Sequence, residues 1–173
     1  MKYLLIILTT GLFIFNACNE AQINRTKFDE RASNNILIGY VNREGLKMEP
    51  FHEWFTPGYR NYQVNDSILS LIDKNDFRKN VKITVVLGTW CSDSRREVPR
   101  FYKILDHLEY DTKQMSVLCV DTDKQAPKTN AGELNITRIP LFIFYRDNTE
   151  IGRIIESPKE SLEADMLKIL RDK

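Results

Sequence analysis

The stretch TWCSDSRREVP, residues 89–99, lies between two segments of different hydrophobic period. Before it, residues 81–87 are a β-branched run, which predicts a central strand that is apolar on both faces. After it, apolar residues recur at helical spacing, which predicts a helix over residues 94–110. Cys91 therefore stands where a buried strand passes into a helix.

The segments that follow predict an α/β fold with a central mixed sheet. Residues 115–120 are a second buried strand, and residues 141–145 and 150–155 flank a polar turn as a β-hairpin. Ser157-Pro158-Lys159-Glu160 predicts a final helix, because a capping-box serine and glutamate accompany proline at the first helical position. This order predicts a parallel strand pair joined by a helix, with an antiparallel hairpin added.

Residues 36–80 are predicted to be a partly helical elaboration ahead of the core at residues 81–173. Phe51, Trp54 and Phe55 have helical spacing and predict a helix over residues 49–56, which Pro57-Gly58 ends. A second helix is predicted from Asp66, a good N-cap residue. The aromatic stripe fits either a binding groove or a core, and the core is favoured because such stripes more often pack.

The surroundings of Cys91 favour a reactive thiol. The amides and partial positive charge of a helix N-terminus stabilise the nucleophilic thiolate. Arg95 and Arg96 add positive charge in the first turn, whereas Asp93 opposes it. The hydroxyl of Ser94, three residues on, can donate a hydrogen bond to the sulfur. Together these features predict a partly exposed, nucleophilic cysteine.

Three separated motifs in this region resemble those of thioredoxin-like proteins. WCSDS, residues 90–94, resembles the Trp-Cys-x-x-Cys active site with serine in place of the second cysteine. Pro99 matches the proline that kinks the active-site helix, and Arg138-Ile139-Pro140 matches the cis-proline loop that faces the active-site cysteine. The resemblance covers about residues 82–170 and implies a thioredoxin-like fold.

The resemblance also implies which residues carry the chemistry. A cis Ile139-Pro140 bond is expected beside Cys91. The implied catalytic residues are Cys91, Ser94, Trp90 and Pro140, and the implied substrate contacts are Trp90, Ile139 and Pro140. Trp90 also fits a simple packing role.

Two departures from the family pattern shape the functional hypothesis. Ser94 removes the resolving thiol, and Val85 occupies a position where thioredoxins often carry a buried acid. We therefore expect a monothiol thiol-disulfide oxidoreductase, in which Cys91 forms mixed disulfides with protein or small-molecule thiols without a metal or organic cofactor. The alternative is a non-catalytic binding module that has lost redox turnover. Metal transfer is poorly supported, because His52 and His107 are the only histidines and neither is near Cys91 in sequence.

The N-terminus resembles a bacterial lipoprotein signal. Residues 3–15 are a short apolar run, and Ala17-Cys18 follows. This predicts a signal peptide at residues 1–17, lipidation of Cys18, a polar tether over residues 18–35 and a domain over residues 36–173. The expected location is the bacterial cell envelope, outside the cytoplasm, with the lipid holding the protein to the membrane. An ordinary signal peptide with an incidental cysteine, or an uncleaved anchor, stays open.

Composition limits the remaining possibilities. The chain has 173 residues and a net charge of +1, which suits one domain and gives no reason to expect a nucleic-acid partner. If Cys18 carries lipid, Cys91 and Cys119 are left in an extracytoplasmic protein and could pair. Cys119 lies inside the apolar run 115–120, so a buried core role is favoured for it.

Overall fold

Six strands form one mixed sheet in the computed structural model, which describes residues 23–171. The strands lie in the order β1-β2-β4-β3-β5-β6. Only β3 and β4 pair in parallel, and the other neighbours are antiparallel. The strands are β1 (Arg25–Asp29), β2 (Asn34–Val41), β3 (Val81–Leu87), β4 (Ser116–Cys119), β5 (Leu141–Arg146) and β6 (Thr149–Ile155). The helices are α1 (Arg43–Leu46), α2 (His52–Asn61), α3 (Asp66–Leu69), α4 (Lys74–Asn80), α5 (Ser92–His107) and α6 (Leu162–Arg171).

The predicted α/β architecture is confirmed. Helix α5 connects the parallel strands β3 and β4, and β5 and β6 form the predicted antiparallel hairpin. Strand β3 occupies the predicted residues and pairs with β4 on one side and β5 on the other. Its carboxyl end delivers the chain to the start of α5, where Cys91 lies.

The two faces of the sheet bury separate apolar clusters. Val85 and Leu87 of β3 point into the larger cluster, which also receives Phe101 of α5 and Phe142 of β5. The rings of those two phenylalanines lie 4.4 Å apart between centroids. Val86 points to the opposite face, into a smaller cluster against which Trp90 and Cys91 pack. The period-2 alternation of β3 thus supports a core on both sides of the sheet.

The tether predicted over residues 18–35 includes residues that belong to the folded sheet. Strand β1 begins at Arg25 and pairs with β2, which begins at Asn34. Polar contacts hold this segment: buried Asp29 accepts hydrogen bonds from the Ala32 amide and from Thr122. The Ala32 hydrogen bond is also the main cause that lowers the pKa of Asp29. The composition of this segment resembled that of a linker because most residues of this edge strand are exposed and polar.

The helix predicted over residues 49–56 does not end at Pro57-Gly58, so that prediction is wrong. Helix α2 runs through Pro57 to Asn61 and packs along α5. A Cβ atom on Gly58 would lie 2.7 Å from Cγ of Pro99, so glycine permits the two helices to approach closely. Phe51 and Phe55 are buried in the larger cluster, as the core interpretation of the aromatic stripe predicts.

Side-chain contacts join the N-terminal elaboration to α5. Asp106 of α5 accepts a hydrogen bond from the Tyr59 hydroxyl at 2.6 Å and pairs with Arg43 at 2.8 Å. The Arg43 guanidinium also lies over the ring of Tyr102, 4.6 Å from its centroid. The elaboration is therefore packed onto the helix that carries Cys91.

Helix ends differ from the predicted caps. The N-cap of α3 is Asn65, whose side chain accepts from the Ile68 amide, and Asp66 is the first helical residue. Helix α6 begins at Leu162, four residues later than Ser157-Pro158 suggested. Ser161 accepts from the Ala164 amide there, and Asp165 accepts from the Lys159 amide at 2.7 Å.

None of the helices between residues 23 and 171 is long and apolar enough to cross a membrane.

Candidate active site

Cys91 occupies the N-cap position of α5, directly after the turn that follows β3. Its backbone is extended, and its amide donates to the Gly88 carbonyl at 3.0 Å. The side chain is half-buried against the smaller apolar cluster. The thiol lies 3.7 Å from the Ile139 carbonyl oxygen and donates to it. Cys91 is therefore partly exposed to solvent, and its thiol is held against the loop before β5.

The loop before β5 meets Cys91, as the resemblance to thioredoxin-like proteins implies. The Ile139-Pro140 peptide bond is cis, which was the expectation for this position. Both residues are buried, and the Pro140 carbonyl accepts from the Glu156 amide at 2.7 Å. The fold therefore brings together two segments that are 48 residues apart in the chain.

Trp90 has a structural contact that limits its freedom. Its indole Nε1–H donates to the Val120 carbonyl at 3.0 Å, and its ring packs against the smaller cluster. A Cβ atom on Gly88 would lie 2.6 Å from Trp90 Nε1 and 2.8 Å from Ile139 Cδ1. Gly88, which the sequence analysis did not single out, is thus the residue that lets Trp90 and Ile139 pack together beside Cys91.

We expect Gly88→Ala to destabilise the protein and slow the reaction of Cys91. The added methyl displaces Trp90 or Ile139, and such overpacking commonly costs about 1–3 kcal/mol. Urea unfolding and the rate of thiol labelling measure the two effects. Gly132→Ala is the matched control, because a Cβ atom there meets nothing within 4 Å. Equal stability of the two variants would contradict this packing role of Gly88.

Ser94 does not make the predicted hydrogen bond to the Cys91 sulfur. It is fully buried, and its Oγ accepts a hydrogen bond from the Gly88 amide at 3.2 Å. No Ser94–Cys91 hydrogen bond is present in the described part of the chain. The hydroxyl instead ties the first turn of α5 to the end of β3, since Gly88 follows that strand directly.

Thr89 is a buried polar residue that the sequence analysis did not assign. Its Oγ1 accepts from the Leu37 amide at 3.1 Å, which links the active-site turn to β2. Its carbonyl accepts from Nε of Arg95 at 2.6 Å. A threonine between glycine and the Trp-Cys pair has no distinctive sequence signal, so its position became evident only from the fold.

The two cations of the first turn are arranged differently. Arg96 pairs with Asp93 at 2.8 Å and with Glu97 at 2.6 Å. Arg95 turns back toward the Thr89 carbonyl and makes no ion pair with any residue from 23 to 171. Arg95 is therefore the cation of the first turn whose charge has no acidic partner in the described chain.

Cys119 is separated from Cys91 by the sheet. It is fully buried in the larger cluster, whereas Cys91 packs on the smaller one. Burial raises the pKa of the Cys119 thiol well above its usual range. Cys119 is therefore a core residue and is poorly placed to resolve a disulfide on Cys91. Val85, at the position where thioredoxins often carry a buried acid, is likewise fully buried.

We expect iodoacetamide to label Cys91 but not Cys119 in the folded protein. The thiolate is the reactive form, and a buried neutral thiol reacts slowly. Peptide mass spectrometry resolves the labelled positions, with denaturant as the control that exposes both. Labelling of Cys119 at a rate comparable to Cys91 under native conditions would contradict this assignment.

Within residues 23–171, no group of three or more histidine, cysteine or acidic side chains is arranged to hold a metal ion. The geometry instead offers one accessible thiol at a helix N-terminus, faced by a cis-proline loop. Such a thiol can act as a nucleophile toward a disulfide.

Comparison with known proteins places this site in context. Over 97 residues the chain is 30% identical to thioredoxin H-type 1 of Nicotiana tabacum, which covers 53% of this chain and 72% of that protein. No protein-family model matches the chain.

Similar solved structures have lower sequence identity to this chain. An HIV epitope scaffold superposes with a TM-score of 0.53 at 11% identity, covering 73% of this chain and 87% of its own. Mitochondrial thioredoxin 3 of Saccharomyces cerevisiae has a TM-score of 0.38 at 22% identity, covering 58% of this chain and 86% of its own.

Proposed function

Since this chain belongs to the thioredoxin family, we propose that it performs thiol-disulfide exchange with Cys91 as its single nucleophile. The α/β fold is thioredoxin-like, and family membership supports redox chemistry on thiols in general. The observation that carries the single-nucleophile proposal is the placement of three groups. Cys91 is accessible, Ser94 is a buried hydroxyl bonded to Gly88, and Cys119 lies on the other side of the sheet.

The exchange starts when the Cys91 thiol loses its proton to solvent. Ionisation breaks the hydrogen bond to the Ile139 carbonyl and leaves the thiolate near the N-terminal amides of α5, which favour negative charge. The thiolate attacks one sulfur of a disulfide. A bond forms between Cys91 and that sulfur, and the other sulfur leaves as a thiolate that takes up a proton.

Release requires a second thiol from outside the site. Its thiolate attacks the substrate sulfur of the mixed disulfide, forms a new disulfide with that sulfur and expels the Cys91 thiolate. Attack on the Cys91 sulfur instead expels the substrate thiolate and leaves the external thiol disulfide-linked to Cys91. The hydroxyl of Ser94 cannot replace it, because serine does not ionise near neutral pH and forms no stable bond to sulfur. The reaction needs no metal or organic cofactor.

The exposed groups around Cys91 determine which contacts a bound substrate can make. The Ile139 side chain and Pro140 are buried, so the backbone of that loop would meet an extended substrate segment. The half-buried Trp90 ring, fixed by its hydrogen bond to Val120, would form the opposite side. In this proposal Trp90, Ile139 and Pro140 position the disulfide in front of the sulfur.

Intact-protein mass spectrometry tests the exchange. The reduced protein is mixed with 2-hydroxyethyl disulfide, and we expect one persistent adduct, mapped to Cys91, that added 2-mercaptoethanol removes. The Cys91→Ser variant is the control and should carry no adduct at this position. A folded wild-type protein that forms no Cys91 adduct would instead favour the binding-module alternative.

We also propose that the protein is held at the bacterial cell envelope through lipid on Cys18. That residue and residues 1–17 lie outside the described part of the structure, so the proposal rests on the lipoprotein-like sequence. Since β1 begins at Arg25, the chain from Cys18 to the fold spans at most about 25 Å. A lipid on Cys18 would therefore keep the domain close to the membrane.

We expect the mature protein to begin at a lipid-modified Cys18. Mass spectrometry of the N-terminal peptide from membranes of a bacterial host measures both the cleavage and the modification. The Cys18→Ala variant is the control and should lose the modification and leave the membrane fraction. An unmodified Cys18, or a chain that still begins at Met1, would reject this assignment.

A further inference from the structure

A cationic cavity is lined by three arginines of α5, the helix that has Cys91 at its N-cap. It has a volume of about 260 Å3 and opens between α5 and the end of α2. Arg95 follows Cys91 by four residues, the spacing that places side chains on one face of a helix. The lining residues are Pro57, Gly58, Asn61, Tyr62, Arg95, Arg96 and Arg100.

The positive charge of the cavity is only partly compensated. Arg96 pairs with Asp93 and Glu97, and Arg100 lies 3.4 Å from the same Glu97 carboxylate. The Arg95 guanidinium uses one of its five N–H donors on the Thr89 carbonyl and has no acidic partner from residue 23 to 171. Three guanidinium groups therefore share two carboxylates, and Arg95, which has no acidic partner in the described chain, is the one closest to Cys91 in sequence.

We propose that this cavity binds a carboxylate of the substrate, so that Cys91 reacts preferentially with disulfides that carry an acidic group near the attacked sulfur. The inference rests on the proposed exchange at Cys91. Planar guanidinium groups with free N–H donors suit a carboxylate, which accepts two parallel hydrogen bonds. A carboxylate seated at Arg95 would hold the disulfide beside the sulfur of Cys91.

The size of the cavity decides which part of a substrate enters. Sites for drug-sized ligands measure roughly 300–1,000 Å3, so about 260 Å3 suits a carboxylate-bearing group rather than a folded segment. Such a carboxylate could belong to a small acidic thiol in disulfide form or to an acidic side chain next to a protein cysteine. A pair of peptides distinguishes these two sources.

The test compares two chromogenic disulfides that differ in charge. One is 5,5′-dithiobis(2-nitrobenzoate), which carries a carboxylate on each ring, and the other is neutral 4,4′-dithiodipyridine. In both reactions Cys91 becomes disulfide-linked to one half and the other half leaves as a coloured thiolate or thione. The ratio of the two rates isolates the contribution of the carboxylate, because the reactivity of the thiol itself cancels.

We expect Arg95→Gln to lower this ratio by roughly three- to tenfold, since one charge is removed about a helical turn from the reacting sulfur. Arg100→Gln, which lines the same cavity, should lower it by roughly twofold. Asn61→Trp fills the cavity without changing charge and should also lower the ratio. Lys79→Gln is the control for net charge, because Lys79 is exposed on α4 at the opposite end of β3.

Each outcome bears on the proposal. An unchanged ratio in Arg95→Gln, with normal reaction of the neutral disulfide, overturns the carboxylate site and leaves the exchange reaction intact. An equal fall in Lys79→Gln shows a long-range charge effect and also overturns the site. If Cys91 reacts with neither disulfide, both the proposed exchange activity and the carboxylate site are refuted.

A peptide pair identifies the source of the carboxylate. Thiopyridine disulfides of Ac-Cys-Gly-Glu-NH2 and Ac-Cys-Gly-Gln-NH2 differ only in one acidic group. Faster reaction of the glutamate peptide, lost in Arg95→Gln, assigns the site to acidic side chains of protein substrates. If the two peptides react equally while the preference for 5,5′-dithiobis(2-nitrobenzoate) over 4,4′-dithiodipyridine is retained, the cavity is assigned to small acidic disulfides.

Discussion

Replacing Cys91 with serine is expected to lower the rate of exchange with 4,4′-dithiodipyridine about 100-fold or more, because the thiolate is the nucleophile. No second thiol in the described chain can substitute, since Cys119 is fully buried on the far side of the sheet. Release of the coloured thione, followed in the folded protein, measures the rate.

Cys119→Ala is the matched control for this experiment. It removes the other described thiol and should leave the exchange rate close to that of the wild type, although the small cavity it creates costs about 1 kcal/mol of stability. The account would be contradicted if Cys119→Ala lost the reaction while Cys91→Ser kept it.

Replacing Ser94 with cysteine is expected to raise insulin-reductase turnover roughly tenfold with 2-mercaptoethanol as reductant, because a second thiol at high local concentration resolves the mixed disulfide. The gain should be modest for two structural reasons. The new sulfur must fit where Ser94 is fully buried and replace a hydroxyl that accepts from the Gly88 amide. Val85 also provides no acid to transfer protons during the second step.

Ser94→Ala separates the new chemistry from the altered packing. It removes the Gly88 hydrogen bond without adding a thiol, so stability should fall by about 1–2 kcal/mol while turnover does not rise. Equal turnover in Ser94→Ala and Ser94→Cys would mean that the introduced thiol does not resolve the mixed disulfide.

Local patterns were sufficient to predict the framework of the site. The β-branched run of β3 and the helical period of α5 place Cys91 at a strand-to-helix junction, which the structure has. The resemblance to thioredoxin-like proteins, and not a local pattern, predicted the cis bond at Pro140 and its approach to Cys91. The strand and the helix could be predicted because they depend on short-range periodicity, whereas the proline loop was predicted only from the matched family motif.

Long-range contacts account for what the sequence did not reveal. The partner of the Ser94 hydroxyl is a backbone amide six residues earlier, and the close approach at Gly58 depends on Pro99 in another helix. Strand β1 was mistaken for part of a tether because polar residues form it, and its buried Asp29 finds its partner at Thr122. The cavity at Arg95 required α2 to continue past Pro57 and meet α5.

The lifetime of the mixed disulfide between Cys91 and a protein substrate tests the central claim most directly. Reduced wild-type protein and Ser94→Cys are each mixed with insulin, quenched with acid at intervals and analysed by mass spectrometry without reductant. We predict that the wild-type protein accumulates a disulfide-linked insulin adduct on Cys91 until 2-mercaptoethanol releases it, whereas Ser94→Cys shows the adduct only briefly. A wild-type protein that reduces insulin while no adduct accumulates on Cys91, or that never forms one, would contradict the single-cysteine mechanism.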